Sequence, residues 1–253
     1  MGICLFCGCD RKMSKEHVLP QWINATPVGE GPVTIQRVAQ TGESSAYTAP
    51  RAAAITARAV CEQCNSGWMS QLEGAARPWL TPMMEGQQLQ LLPDAHDVLA
   101  RWAVKTAIMF LYSTSPPVGA EAPHRSELRD GRLPSGAGVW LAAYRADPPA
   151  YNSWIRAREI EMRPDADPAE IRTASAVTLT LGCYAQHVLL MPAAWSGRAL
   201  ELLAPAPLRP RVTRIPSPAV VSWPPGSEGL SIAELERHAD AFCAAGYSTP
   251  ATG

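Results

Sequence analysis

No run of about 18 uncharged apolar residues occurs anywhere in this 253-residue chain, so no segment is expected to span a bilayer. The opening Met-Gly-Ile-Cys lacks the basic stretch and apolar stretch of a secretory signal, which places the chain in the cytoplasm as an expectation. Thiols stay reduced there, and cysteine pairs bind metal more often than they form disulfides. A basic surplus is missing too. Net charge is -1 with a pI near 6.5, and residues 1–85 carry seven Lys/Arg against seven Asp/Glu. Phosphate neutralisation drives most nucleic-acid affinity, so a globally basic binder is excluded and only a local patch remains open. Neither an internal repeat nor a low-complexity tract is present. With 47% hydrophobic and 18% charged residues the chain can bury a full core. Its 24 prolines are interleaved with apolar residues and read as long ordered loops.

The organising feature is a pair of knuckles, Cys4-Leu-Phe-Cys7 and Cys61-Glu-Gln-Cys64. Each C-x-x-C folds two thiolates around one metal from a single tight turn, and two such pairs suit tetrahedral zinc. Gly8 follows the first knuckle, where a positive φ costs glycine little. Four thiolates close the coordination shell, so this zinc is expected to be a structural staple, and catalysis must use other atoms. Cys9 is a spare thiol that could replace Cys7. Cys183 and Cys243 read as small buried hydrophobes.

Between the knuckles lies Ser14-Lys-Glu16-His17-Val-Leu-Pro20, and Asn65 follows the second knuckle directly. Clamping the knuckles together would bring Glu16-His17 close to Asn65. A carboxylate and an amide oxygen can hold Mg²⁺ or Mn²⁺ together with water and a substrate phosphate, and a neighbouring imidazole can deprotonate the attacking water. Taken singly, His17 reads as a packed histidine and Asn65 as a helix cap; their joint placement favours chemistry. Arg58 is a weaker candidate for a phosphate contact. Glu73 is either a further ligand or a surface charge, Trp68 reads as core, and His96, His124, His187 and His238 show no partner pattern.

Periodicity places a short strand entering a turn over Val18–Ile23, a strand at Val33–Val38 and another at Ile55–Val60. A helix follows Cys64 on Trp68, Leu72, Ala75 and Trp79, and Pro78 should end or kink it. A second helix is expected from an Asp94 cap, with Val98, Leu99, Trp102, Ala103, Met109 and Phe110 on a broad apolar face. Strands follow at Val139–Tyr144, Arg158–Met162, Val177–Leu181 and Val188–Met191, then a closing helix with a Ser231/Glu234 capping box. The expected fold class is α+β, divided into a module at 1–85, a helical segment at 86–115, a linker at 116–137 and a β-rich part at 138–253.

Cys4-x-x-Cys7, Glu16-His17-x-x-Pro20 and Cys61-x-x-Cys64-Asn65 together resemble the zinc-bound, bacterial branch of the HNH endonucleases of ββα-metal type, over roughly residues 3–73. The resemblance implies a β-hairpin and helix around one divalent ion, cleaving phosphodiesters, with DNA as partner and oligomeric state open, a homodimer included. It implies His17 as general base, Glu16 as the acidic metal ligand and Asn65 as the last metal-binding position. Two departures stand out. The strand before Cys61 carries no Asn, and Asn24 sits too early to supply one. The segment between His17 and Cys61 is also long for a simple hairpin. A non-catalytic zinc module binding nucleic acid or protein is the alternative, as is a related enzyme acting on another substrate.

Overall fold

The computed structural model describes residues 1–39, 41–113, 120–145, 153–162, 172–192, 211–226 and 228–244. Two short strands, β1 (Gly2–Ile3) and β2 (Asp10–Arg11), pair on either side of the first knuckle. Next comes β3 (Glu16–His17). The chain then leaves through a 3-10 turn at Gln21–Ala25 and the one-turn α1 (Pro27–Glu30); a turn was expected within Val18–Ile23, but the short strand leading into it does not form. Val18, Leu19 and Ile23 bury themselves from this compact turn. The Thr26 hydroxyl accepts from Gly29 N, and Pro27 fills the first helical position.

The hairpin β4 (Val33–Val38) and β5 (Ser44–Ala49) follows. The chain then returns as β6 (Thr56–Ala57), much shorter than the Ile55–Val60 strand expected. β3 and β6 pair antiparallel, Glu16 opposite Ala57 and His17 opposite Thr56. Beyond Cys61 come the single turn α2 (Glu62–Cys64), a wide π-type turn over Asn65–Met69 and α3 (Ser70–Met84).

α3 continues through Pro78 and Pro82, so the helix does not end at Pro78. Pro78 is exposed, and the hydrogen bond it removes lies on the solvent side. Leu72, Ala76, Leu80 and Met83 form the opposite, fully buried stripe. At roughly 1.5–3 kcal/mol for each large apolar side chain, their burial outweighs the roughly 3 kcal/mol of an interior proline. Ala75 belongs to the exposed face, and Ala76 takes its place in the stripe.

Strand β7 (Leu89–Leu91) leads to α4 (Pro93–Ser113), the central helix. It begins at Pro93, one residue ahead of the cap expected at Asp94. Proline suits a first helical position because its missing N–H would be unpaired there anyway. Fourteen residues of α4 are buried, because α3 lies on one side and the main sheet on another.

The span 116–137, read from sequence as a linker, contains α5 (Ala122–Arg129) and the first residue of β8 (Ala137–Ala143). β9 (Ser153–Met162), β10 (Arg172–Leu181), β11 (Tyr184–Leu190) and β12 (Val212–Ile215) complete a seven-stranded sheet, in the order β12-β8-β11-β10-β9-β4-β5. β4 pairs with β9 in parallel, Val33 opposite Ser153 through Val38 opposite Arg158. The excursion between the two knuckles therefore belongs to the same sheet as the C-terminal strands. One core cluster runs from Cys4 and Phe6 through Leu99 to Val188 and Trp223. β13 (Val221–Trp223) pairs with β7, tying the late chain to the helical segment.

The closing helix α6 (Ile232–Ala244) starts with the expected box. Ser231 N donates to the Glu234 carboxylate, and Glu234 N donates back to the Ser231 hydroxyl. Leu235 packs with Ala142, Ala185 and Leu230 on the second face of the sheet. The Cys243 side chain lies outside the described residues, and Cys183 is half-buried. His238 of α6 meets His187 of β11 at 5.4 Å between ring centroids, and Thr178 bridges to His187 Nδ1 at 2.7 Å. Burial holds His238 down at about 4 and His187 well below the usual imidazole range.

A histidine buried in its neutral form stabilises above its unfolded titration and loses that stability as the pH falls. Acidification from about pH 6.5 toward 4 should therefore destabilise the fold, His238 alone contributing on the order of 3 kcal/mol. Chemical denaturation of wild type and His238→Gln across this range checks it. The variant should show the shallower decline, and equal slopes would count against the assignment.

Candidate functional site

Both knuckles close on one point. Cys4, Cys7, Cys61 and Cys64 place their sulfurs within 4.8 Å of one another, and among the described residues no other group of three or more His, Cys, Asp or Glu converges in this way. Cys7 Sγ and Cys61 Sγ are 3.8 Å apart. Zn–S bonds of about 2.3 Å in a tetrahedron give sulfur–sulfur edges of roughly 3.8 Å, so the set fits zinc. Local backbone builds the cradle. Gly8 takes φ +68°, Gly8 N donates to Cys4 O at 2.9 Å, and Cys4 N donates to Cys9 O at 3.0 Å. Backbone N–H groups also aim at sulfur: Cys61 N lies 3.3 Å from Cys4 Sγ and Cys64 N 3.5 Å from Cys61 Sγ.

Burial raises the Cys4 thiol, but N–H donors from Cys7, Cys61 and Phe6 outweigh it and bring Cys4 down to about 7. Burial, then the Cys4 charge, pushes Cys64 far up. Cys9 is exposed and stands outside the set, as its spacing suggested. Trp68 packs edge-on against Phe6 at 5.0 Å between centroids, bracing the knuckle as a core residue.

The β3–β6 ribbon runs beside this cluster. Alternation along a strand sends neighbouring side chains to opposite faces. Glu16 and Ala57 are buried on the inner face, whereas His17 and Thr56 are half-exposed on the outer one. Lys15 and Arg58, one residue beyond the Glu16–Ala57 pair, are both exposed, and neither makes an ion pair with a described residue. Asn65 is tied to the same ribbon. Its amide nitrogen donates to Ser14 Oγ at 3.2 Å, and Ser14 Oγ donates to Val60 O at 3.2 Å. Asn65 N donates to Cys61 O at 3.0 Å, fixing the residue at the start of the wide turn. Gly67 within that turn takes φ -90° and ψ -114°, which re-aims the chain before α3. Gln21, one turn after His17, brings its side-chain amide to 3.4 Å from His17 Nδ1. An amide therefore stands at this imidazole even though the preceding strand of the second knuckle has no Asn.

Glu16 does not reach open solvent. Lys105 of α4 is fully buried and places Nζ 3.4 Å from Glu16 Oε1. The same ammonium is bonded to Glu73 Oε1 at 2.5 Å. Burial pushes the Glu16 carboxyl above its ordinary range; Lys105 pulls it back and Glu73 pushes it up again. Glu73 is thus an ion-pair partner on the inner side of α3, not a solvated surface charge. Lys105 escaped the sequence reading. Its signal was a lone ammonium in Ala103-Val104-Lys105-Thr106-Ala107, on a helix whose Trp102, Ala103, Met109 and Phe110 read as core.

His96, His124, His187 and His238 are all buried away from this ribbon, which agrees with their lack of a ligand pattern. His96 Nδ1 meets Ser217 O at 3.0 Å, and His124 Nδ1 accepts from Glu121 N at 3.2 Å as part of a capping box. Comparison with protein-family models, with curated proteins and with solved structures returns no match. No described helix is long and apolar enough to cross a membrane.

Proposed function

We propose that this chain is a metal-dependent endonuclease that hydrolyses phosphodiester bonds in DNA. One observation supports the reading above the rest. His17 stands half-exposed on a two-residue ribbon whose neighbour, Ser14, is hydrogen-bonded to Asn65 at 3.2 Å, next to a four-cysteine cluster that can hold zinc. In this reading His17 is the base that takes a proton from the attacking water. Glu16 and Asn65 would hold a divalent cation, Mg²⁺ or Mn²⁺, which supplies Lewis acidity at the phosphate. Lys15 and Arg58, exposed on the ribbon, provide the local positive charge that the chain as a whole lacks. A non-catalytic zinc module is favoured by a different observation, the engagement of Glu16 by Lys105.

Nicking of supercoiled plasmid by zinc-loaded protein, with and without Mg²⁺ or Mn²⁺, separates the two. Cleavage is expected only with the divalent ion. Protein that is folded, zinc-loaded and inert with every divalent cation on both DNA and RNA would select the binding module. Arg58→Ala should weaken DNA binding across all sequences and lower the salt slope by about 1, measured by fluorescence anisotropy over a salt series.

A further inference from the structure

We infer that Arg156 anchors an oxyanion site on the second face of the main sheet, one that takes a carboxylate or phosphate group beside α6. Strand register lines up one residue from each of five strands on this face. Arg156 of β9 stands opposite Thr178 of β10, Thr178 opposite His187 of β11, His187 opposite Trp140 of β8, and Trp140 opposite Arg214 of β12. Gln186, the neighbour of His187, turns the other way and donates to Ala103 O of α4 at 3.5 Å. The row therefore faces away from α4, on which β6 packs. From α6, His238 rests on His187, and Asp240 Oδ1 reaches Arg158 Nη1 at 2.7 Å and Arg156 Nη2 at 3.2 Å.

Arg156 is 8% exposed, and its Nε and Nη1 are buried with no hydrogen-bond partner. Donors of a charged group are costly to bury unmade. The charges do not balance either. Arg156 and Arg158 share the single Asp240 carboxylate, while burial keeps His187 and His238 neutral. A positive charge is thus left over beside the apolar cluster of Trp140, Ala176 and Leu189, and a buried charge needs a partner. One anionic oxygen ligand supplies both the missing acceptors and the missing charge. The planar guanidinium fork matches the oxygens of a carboxylate or a phosphate. The side chains of Asp240 and Arg158 are 48% and 30% exposed, so the cluster meets solvent at the α6 edge. This site is separate from the β3–β6 ribbon and does not depend on the function proposed above.

The test uses full-length, zinc-loaded protein at neutral pH and fixed ionic strength, with inorganic phosphate and labelled acetate as probes read by phosphorus and carbon NMR. Saturable binding of phosphate assigns a phosphate ligand, and saturable binding of acetate alone assigns a carboxylate. Arg156→Gln should weaken the bound probe at least about tenfold, the worth of a charged hydrogen bond. Arg58→Ala, on the ribbon, should leave that affinity as in wild type. Asp240→Asn removes the competing carboxylate from an exposed position and should tighten binding about threefold or more. If Arg156→Gln does not fold, Asp240→Asn decides. Folded wild type that binds neither probe, binding that survives Arg156→Gln or is lost in Arg58→Ala, or unchanged or weaker binding in Asp240→Asn would overturn the inference and leave Arg156 as support for α6.

Discussion

Cys61→Ser is expected to yield insoluble or unfolded protein, and wild type should carry one tightly held zinc per chain. The magnitude decides this. Structural zinc contributes an apparent ~10–16 kcal/mol in small zinc domains, whereas a whole domain is stable by only ~5–15 kcal/mol. Cys61 also does more than bind. It opens α2 as its N-cap, its sulfur accepts from Cys64 N, and its carbonyl accepts from Asn65 N. Cys4, Cys61 and Cys64 are buried within the main core cluster, so losing the metal opens that core. Zinc content by atomic absorption and melting by circular dichroism, before and after chelation, are the measurements. Protein that stays folded and fully active once stripped of zinc would refute the staple.

His17→Ala should reduce plasmid cleavage by roughly 10²–10⁴, the usual contribution of a general base. Its fold should be kept, because His17 is half-exposed and is not among the four clustered cysteines. The carboxylate needs a milder probe. Glu16→Ala would leave the Lys105 ammonium buried with one partner fewer, and breaking a buried pair costs about 3–5 kcal/mol. Glu16→Gln keeps the shape, and with Asn65→Ala it should respond to excess Mg²⁺ or Mn²⁺. Cleavage that survives His17→Ala unchanged would mean the chemistry lies elsewhere.

Local signals carried much of this structure. The cysteine spacing anticipated the four-sulfur cluster, and the Ser231/Glu234 box anticipated the start of α6. The apolar periodicity anticipated α4 and the strands at Val33–Val38 and Val177–Leu181. The errors share one cause, which is that tertiary burial overrode a local rule. Pro78 sits within α3 because the opposite face is buried. The supposed linker folds in part into α5, and the supposed excursion lies in the main sheet. At the site, the residues next to the motif were legible and those brought in from afar were not. Lys105 lies 89 positions from Glu16 along the chain, and no pattern within a window links them. Gln21 was overlooked for the opposite reason, being a common polar residue in a turn.

The parallel pairing of β4 with β9 also sets an order of assembly. All four cysteines leave the ribosome early, yet β4, threaded between the two knuckles, borders the later strand β9 in the finished sheet. A nascent chain can therefore gather its thiols while β4 still shows a bare edge on that side. Early capture of metal would keep the two ends of that segment together and limit the conformations that β4 must search. Pairings across such separations form slowly, and an unpaired strand edge is open to wrong partners in the meantime. Zinc supply during synthesis, not only afterwards, would then govern how much of this protein reaches its native state.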